Sequence, residues 1–534
     1  MAVRNLADVW EAVAARQPQL PALWDGHRVT FTWAAFERAA EAAAQGLAQR
    51  GLAQGDRLAI LMRNQPEYLI TAFACFKLGL TPLNLNYRYT SVELSQVLDT
   101  ADCRTVVAGV EFLPLTQQLP AAGWHGDVIA APADEGGETP TGVAGWLQVA
   151  GDVDPDRLTT RTVARSGDDH LLLFTGGTTG VPKGVVWRQQ SLLELLAAAQ
   201  LELVPGQQLD AAAPRPLLPA APFMHGTGLF TSMGGFGLTA GGSVICLPRA
   251  RFDPAELLTV AQRLDAEMLV ITGNAMAVRL IETLERAPRE LPGLRYVLSS
   301  GAVFSSGHKE RLLAALPELT IIETLGASEG TNTGTAIAVH GSVPPTGRFV
   351  PGPDVRLLTP DGDLIPPGSG VPGLLAVGGP LPDGYFRDPE ATARVYRDWH
   401  GVRLAVPGDW ARGHPDGTLE LLGRGSASIN SGGEKIYPGE VEAAILSCPG
   451  VREAAVVGVP DDRFGESVCA VVAAMPGAQV SDEDIVAAVR ATLARYKVPR
   501  HVVRVHDLPR TAVGKVHYPA VLELARRRLA LEPS

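Results

Sequence analysis

Residues 174–184 read FTGGTTGVPKG, a glycine- and threonine-rich loop that follows the apolar run 171–173. Small residues let backbone N–H groups close around phosphate oxygens, so the loop predicts a phosphate-binding nest. The threonine hydroxyls and the one lysine add polar donors and positive charge beside it. A flexible surface loop is the alternative. The predicted nest consists of Thr175, Gly176, Gly177, Thr178, Thr179, Gly180 and Lys183.

The loop differs from the P-loop of ordinary NTPases. That motif needs a glycine followed directly by lysine and then serine or threonine. Here Pro182 precedes Lys183, and Gly184 follows it. The sequence therefore excludes the P-loop assignment.

Further motifs follow along the chain, and their order is informative. They read APFMHGTG (221–228), LGASEG (325–330), PGDW (407–410), GRGSASINSGGEKIYPGEVE (423–442) and PRTAVGKVHY (509–518). With the loop at 174–184, these motifs resemble those of the acyl-adenylate-forming superfamily. That superfamily includes acyl-CoA synthetases, firefly-type luciferases and peptide-synthetase adenylation domains. The resemblance spans nearly the whole chain.

Length and composition limit the class of protein. The chain has 534 residues with 46% hydrophobic and 19% charged residues, which predicts a globular protein of two or more domains. A net charge of −11 argues against nucleic-acid binding. Five scattered cysteines predict neither disulfides nor a zinc site. The absence of a signal peptide or long apolar run favours a cytoplasmic protein without a transmembrane segment.

Alternating strand-like and helix-like segments predict an α/β fold with parallel sheets covered by helices. We expect strands near 57–62, 104–108, 169–174, 243–247, 268–272, 295–299 and 319–323. The Pro- and Gly-rich stretch after residue 344 predicts a small barrel-like β unit. The predicted N-terminal AMP-binding domain covers 1–424, with subdomains of about 1–165, 166–343 and 344–424. After a hinge, residues 425–534 are expected to form a small mobile α+β domain.

The resemblance implies that the protein joins a carboxylic acid to ATP, a reaction that brings negatively charged partners together and so needs fixed positive charge and Mg²⁺. Glu329 matches the family's magnesium-holding glutamate; an isolated glutamate would otherwise be a surface residue. Lys515 matches the mobile-domain lysine that contacts the α-phosphate and the carboxylate during adenylation. Without the motif, a lone exposed lysine would simply be solvated.

Other positions match the family's nucleotide site. Asp409 corresponds to the ribose-binding aspartate, and Arg424 to an arginine that reaches the nucleotide. Arg424 could instead brace the domain junction through a salt bridge. The segments that enclose adenine in the family correspond here to Gly301, Ala302, Glu323, Thr324, Leu325, Gly326 and Ser328.

The acid and CoA sites are also suggested by the resemblance. His225, with Gly226 and Thr227, matches the family segment beside the acyl carboxylate, although a histidine in a glycine-rich turn can be purely structural. No aspartate in this motif could pair with an amino acid's ammonium group, so an apolar acid is expected. The CoA-facing hairpin corresponds to Gly432, Gly433, Glu434 and Lys435, and the hinge position to Ser426.

Some positions depart from the family pattern. Gly176 replaces a frequent serine, and Leu325 stands where an aromatic side chain commonly stacks on adenine. Pro407 replaces a threonine. Ser426 occupies the hinge position, where aspartate or lysine is usual. None of these changes removes a charged catalytic group.

The sequence predicts an ATP-dependent acid–CoA ligase that forms acyl-AMP and pyrophosphate and then acyl-CoA and AMP. ATP, Mg²⁺ and CoA are the expected cofactor and co-substrates, and a fatty, branched or steroid-derived acid the expected substrate. The alternatives are an aryl-acid CoA ligase, an acyl-AMP ligase that loads a carrier protein, and a non-catalytic nucleotide- or acyl-binding module. A homodimer is left open.

Overall fold

The structure is a computed structural model of the chain. It describes residues 5–131, 144–145, 160, 163–175, 182–202, 216–247, 251–424, 429–431, 434–461, 465–493, 495–511 and 514–529. Within these ranges, helices and strands form an α/β protein with three sheets. No helix among them is long and apolar enough to cross a membrane.

The largest sheet in the described ranges has 15 strands, in the order β2-β1-β11-β10-β12-β13-β14-β15-β16-β23-β22-β18-β21-β20 with β17 paired to β18. Its first part is mostly parallel, and from β14 onward neighbouring strands are antiparallel. The strands are β1 Pro21–Trp24, β2 Val29–Thr32, β10 Pro216–Pro219, β11 Ser243–Ile245, β12 Met268–Ile271, β13 Tyr296–Ser300, β14 Thr320–Ala327, β15 Gly330–Ala338, β16 Arg348–Pro351, β17 Val355–Leu358, β18 Pro372–Val377, β20 Tyr396–Trp399, β21 Val402–Ala405, β22 Asp409–Gly413 and β23 Leu419–Arg424.

A second sheet has eight strands in the order β19-β9-β8-β4-β3-β5-β6-β7. Its interior pairs are parallel, whereas β8 and β9 form an antiparallel hairpin to which β19 adds an edge. The strands are β3 Arg57–Leu61, β4 Thr81–Asn84, β5 Thr105–Gly109, β6 Asp127–Ala131, β7 Ala144–Gly145, β8 His170–Thr175, β9 Lys183–Arg188 and β19 Gly384–Tyr385.

Helices cover these two sheets and share cores with them. The helix α3 (Pro66–Leu78) is buried at nearly every position and packs with Trp10 and Phe36 in a core that both sheets line. A helix that is apolar all round is expected in such an enclosed position. The others are α1 Leu6–Arg16, α2 Trp33–Gln49, α4 Ser91–Thr100, α5 Leu113–Thr116, α6 Gln189–Glu202, α7 Gly226–Met233, α8 Pro254–Arg263, α9 Gly273–Arg286, α10 Ser306–Ala315 and α11 Pro389–Val395.

The third sheet follows residue 428 and has its own cores. Its order is β25-β24-β27-β26, and β28 runs parallel to β27. The elements are β24 Ile429–Ser431, β25 Glu434–Ile436, α12 Pro438–Leu446, β26 Val451–Asp461, β27 Gly465–Ala474, α13 Asp482–Thr492, β28 His501–Val505 and α14 Tyr518–Arg528.

The predicted fold class is confirmed, and the predicted strands occur within one or two residues of their expected starts. Two details differ. The β14 strand extends to Ala327 and turns into β15, a strand that the sequence analysis did not predict. The antiparallel unit after residue 344 is continuous with the large sheet through the β15–β16 pairing. The hinge residue Ser426 lies outside the described residues, so the domain boundary at 424 stays a prediction.

Candidate active site

The phosphate-loop motif connects two antiparallel strands of the second sheet. Thr175, at the end of β8, pairs with Lys183, at the start of β9. The two residues therefore flank the loop, and the loop residues Gly176, Gly177, Thr178, Thr179 and Gly180 lie outside the described part of the chain. The ammonium group of Lys183 lies 2.9 Å from Oδ2 of Asp388 and 5.3 Å from the ring centroid of Tyr385.

The candidate metal-binding residue Glu329 lies in the turn between β14 and β15. The hydroxyl of Tyr385 donates a 2.6 Å hydrogen bond to its Oε1. Tyr385 belongs to β19, which pairs with β9 directly after Lys183. One tyrosine thus contacts both the predicted metal carboxylate and the loop lysine.

Asp388 is the N-cap residue of α11 and also the ion-pair partner of Lys183. Its Oδ1 accepts the Ala391 N–H at 2.8 Å, while Oδ2 faces Lys183. These interactions, the Ala391 N–H first and then Lys183, hold the pKa of Asp388 below its usual value. A carboxylate is therefore maintained beside the loop lysine at neutral pH.

The segments predicted to enclose adenine lie at adjacent strand ends. Ser300 pairs with Thr324 across β13 and β14, and its hydroxyl donates to the Thr324 carbonyl at 3.0 Å. Gly301 has a φ of +79°, which favours glycine, and a Cβ added there would lie 3.5 Å from the Thr227 hydroxyl. The motif at 301–302 thus adjoins both 323–325 and the His225 motif.

A small pocket brings the predicted ribose aspartate to these strand ends. Asp409 lines it with Leu325, Gly326, Ala327 and Pro407. Ser328 follows directly in the β14–β15 turn. Asp409 also pairs with Arg424 in the β22–β23 register, although the Arg424 side chain lies outside the described atoms. The geometry therefore groups Asp409 with the predicted adenine segment.

Glu323 does not present its carboxylate to this pocket. Its side chain is buried, forms an ion pair with the buried Lys309, and accepts the Phe304 N–H at 3.2 Å. Only the backbone of Glu323 could line a nucleotide site. The side chain instead ties α10 to β14.

His225 precedes α7 as its N-cap residue. Burial, followed by the positive charges of Lys515 and Arg88, lowers the pKa of His225 to about 4. Its Nε2 is buried and has no hydrogen-bond partner among the described residues. A neutral imidazole with an unused ring nitrogen can therefore meet a ligand at this position.

Two buried asparagines connect the His225 motif to the ends of β3 and β4. Asn84 donates to the carbonyls of Phe174 (3.0 Å) and Met224 (2.6 Å), and it accepts the Phe174 N–H. Asn64 accepts the Phe223 N–H at 2.8 Å and donates to the carbonyls of Pro219 and Ala221. The start of the phosphate loop and the His225 turn are thus fixed to each other.

Lys515 belongs to the third sheet's unit, yet it faces this site. It is exposed, and its charge contributes to the lowered pKa of His225. A Cβ added to the preceding Gly514 would lie 3.2 Å from Nη1 of Arg88, which follows β4. The turn that carries Lys515 therefore lies against the same region as His225.

The remaining predicted residues are described only in part. Gly432 and Gly433, like Ser426, lie outside the described residues, as do the side chains of Glu434 and Lys435. The flanking segments form a hairpin in which Ser431 pairs with Glu434.

The sequence analysis missed Tyr385, Asp388, Asn84, Asn64 and Arg88. A helix-start signal was present for Asp388, because the next residue is proline and aspartate is a preferred N-cap. Tyr385 and the asparagines carry no comparable local signal. Their partners lie 56 or more residues away in the chain.

Comparison with known proteins agrees with this geometry. The family model for AMP-binding enzymes matches residues 10–386, and that for the AMP-binding enzyme C-terminal domain matches 440–515. The chain belongs to the AMP-binding enzyme family. The resemblance predicted from the sequence is thereby confirmed.

Two relatives of known activity are similar to the chain over almost their whole length. The chain is 35% identical to a 3-oxocholest-4-en-26-oate–CoA ligase of Rhodococcus rhodochrous, covering 96% of this chain and 94% of the relative. It is also 35% identical to a medium/long-chain-fatty-acid–CoA/3-oxocholest-4-en-26-oate–CoA ligase of Mycobacterium marinum, covering 96% and 95%.

The fold is also found among solved structures. The anthranilate CoA ligase AuaEII, in complex with anthranoyl-AMP, superposes with a TM-score of 0.84 over 99% of both chains at 19% identity. At this identity the likeness establishes the fold alone.

Proposed function

We propose that the protein is an acyl-CoA synthetase that activates an apolar carboxylic acid with ATP and transfers the acyl group to CoA. The observation that carries the proposal is the position of the turn after β28: at Gly514 it lies against Arg88, and the charge of Lys515 lowers the pKa of His225. Lys183, Glu329 and Asp409 occupy the neighbouring elements. A non-catalytic binding module would not need a lysine brought in from another sheet.

In the first half-reaction, a carboxylate oxygen of the acid attacks the α-phosphorus of ATP. The bond from that phosphorus to the bridging oxygen breaks, and pyrophosphate leaves. Lys183 would neutralise the leaving phosphates, and Lys515 would offset charge on the α-phosphate and the carboxylate. His225, neutral because of its low pKa, can donate a hydrogen bond to the carboxylate without adding charge.

The residues present fit a magnesium ion. Glu329 offers a carboxylate, a hard oxygen ligand of the kind Mg²⁺ prefers, and Tyr385 restrains one of its two oxygens. Mg²⁺ usually takes only one or two protein carboxylates, so a single glutamate is sufficient. When bound, the ion would supply positive charge to the phosphates of ATP.

In the second half-reaction, the CoA thiolate attacks the acyl carbon and AMP leaves. We assign the hairpin with Gly432, Gly433, Glu434 and Lys435 to this step, after movement at the hinge near Ser426. The assignment follows from the family resemblance. The two glycines between Ser431 and Glu434 in the sequence would let the pantetheine arm pass close to the backbone.

The acid is proposed to be a medium- or long-chain fatty acid or a steroid-derived acid. The names of the two relatives support this class. The His225 turn also lies among apolar side chains, including Phe223, Met224 and Leu229, with no acidic residue in its motif. A charged amino-acid substrate would find no partner there.

A pyrophosphate-release assay across medium-chain, long-chain, aromatic and steroidal acids tests this proposal. We expect release with fatty or steroidal acids and, on addition of CoA, the corresponding thioester. Preference for aromatic acids would favour the aryl-acid alternative. Thioester formation only on a carrier protein would favour an acyl-AMP ligase, and no acid-dependent release would favour a binding module. A homodimer and a cytoplasmic location stay predictions.

A further inference from the structure

We propose that Arg510 is a positioning residue that holds the turn carrying Lys515 in the orientation needed for adenylation. The inference rests on the proposed function, in which Lys515 acts in the first half-reaction. The new element is the contact by which Arg510 fixes the Lys515 turn to the third sheet.

The described residues on either side of 512–513 are tied together by hydrogen bonds between β28 and α14. The His517 N–H donates to the Pro509 carbonyl at 2.8 Å, and Arg510 and Val516 form an isolated antiparallel bridge. The Thr511 N–H donates to the carbonyl of Lys515 itself at 2.7 Å. Backbone hydrogen bonds thus hold the described parts of the turn together.

The side chain of Arg510 connects this turn to the sheet. Its Nη1 donates to the Gly514 carbonyl at 2.7 Å, one residue before Lys515. Its Nη2 binds the carboxylate of Glu453 on β26, whose side chain is 13% exposed. The partly exposed guanidinium therefore connects a half-buried strand position to the residue next to the lysine.

The contacts of Arg510 matter because they restrain the turn that carries Lys515. The Lys515 side chain is exposed, and the preceding glycine, with a φ of +83°, contributes no side-chain contact of its own. A planar guanidinium with two fixed hydrogen bonds restrains direction as well as distance. Without it, the turn could shift by about an ångström, a displacement that can cost on the order of 10²-fold in rate.

The predicted effect is confined to one half-reaction. Arg510→Ala should lower the rate of acid-dependent pyrophosphate release by roughly 10- to 100-fold, with little change in KM for ATP. Thioester formation from supplied acyl-adenylate should stay within about twofold of wild type, because it does not use Lys515. A merely structural role would lower both half-reactions, since both require the folded third sheet.

Arg504→Ala is the matched control. Arg504 lies on β28 of the same sheet and binds Asp482 and the Val480 carbonyl instead of the turn. Its replacement should leave both half-reactions unchanged. If Arg510→Ala does not fold, Glu453→Gln decides the question, because the neutral amide weakens the link and should lower pyrophosphate release selectively.

Lys515→Ala completes the set. If Lys515→Ala is inactive in adenylation while Arg510→Ala and Glu453→Gln remain fully active, the positioning role is wrong and the proposed function stands. Equal loss of both half-reactions in Arg510→Ala also overturns the positioning role. If Lys515→Ala adenylates normally, Lys515 has no part in the first half-reaction and the positioning role of Arg510 is wrong with it. Only a wild-type protein that releases no pyrophosphate with any acid overturns the proposed function itself.

Discussion

Tyr385 and Glu329 are joined by a 2.6 Å hydrogen bond from the tyrosine hydroxyl to Oε1 of the glutamate. Tyr385 lies in β19 of the second sheet and Glu329 in the turn between β14 and β15 of the large sheet, 56 positions apart in the sequence. The face of the same ring lies 5.3 Å from the ammonium of Lys183. Tyr385 therefore fixes the two charged groups to which we assign the phosphates and the metal.

Tyr385→Phe should raise the Mg²⁺ concentration needed for half-maximal pyrophosphate release by roughly tenfold, because Glu329 loses the group that orients it. Direct Mn²⁺ binding, followed by electron paramagnetic resonance, should weaken in parallel. Tyr396→Phe is the control: Tyr396 packs against Tyr385, and its buried hydroxyl has no hydrogen-bond partner among the described residues. Identical metal titrations for Tyr385→Phe and wild type would contradict this role.

Glu323→Gln should destabilise the fold instead of weakening ATP binding. The change leaves Lys309 buried without its counter-charge, and breaking such a pair typically costs about 3–5 kcal/mol. Urea unfolding measures the loss. The double variant Lys309→Met/Glu323→Leu should recover much of it. Unchanged stability together with a raised KM for ATP would show that the carboxylate serves the nucleotide.

Compared with wild type, the Glu442→Gln variant should gain stability when the pH is raised from 5 to 8. Burial raises the pKa of Glu442 to about 7, although the Val456 N–H and the Tyr518 hydroxyl, each at 2.8 Å from Oε1, oppose the rise. Between the unfolded pKa near 4.5 and the folded value near 7, the folded state holds the extra proton, so wild-type stability falls as pH rises.

Glutamine keeps the same acceptor oxygen and cannot ionise. The difference in unfolding free energy between Glu442→Gln and wild type should therefore change by on the order of 3 kcal/mol from pH 5 to pH 8. Denaturant unfolding at both pH values provides the measurement. A difference that does not depend on pH would show that Glu442 titrates normally.

His225 should stay neutral down to about pH 5. Its pKa of about 4 should rise in Lys515→Ala and in Arg88→Ala, because each variant removes a positive charge that opposes protonation. The folded pKa lies below the unfolded value, so this histidine contributes stability above about pH 6.5 and loses it as pH falls towards 4. NMR titration of the imidazole, assigned with His225→Gln, measures the pKa. A value near 6.5, unchanged by either variant, would contradict the placement of Lys515.

Local signals predicted much of the fold. Helix α2 begins after Thr32, whose hydroxyl caps it, and α3 begins at Pro66 and ends before Gly79, which has a left-handed φ of 65°. The strand β15 was missed because its sequence, GTNTGTAIA, is small and polar in its first half. Its strand conformation depends on pairing with β14 and β16.

The sequence predicted the residues of the candidate site only where they belong to a recognisable motif. Composition and spacing cannot show that Tyr385 reaches Glu329 or that Asn84 joins Phe174 to Met224, because these contacts form between distant segments. Sequence reasoning also could not show that the Glu323 side chain is buried away from the candidate site. That burial depends on Lys309, which contributes its charge from α10.

The central claim is that Lys515 meets a nucleotide held beside Thr175 and Lys183. A crystal structure with a non-hydrolysable acyl-adenylate analogue tests it most directly. We expect the adenosine between residues 301–302 and 325–326, its ribose hydroxyls on Asp409, and the Lys515 ammonium within hydrogen-bonding distance of the group that replaces the phosphate. An analogue bound away from the 175–183 hairpin, with Lys515 directed into solvent, would contradict the account.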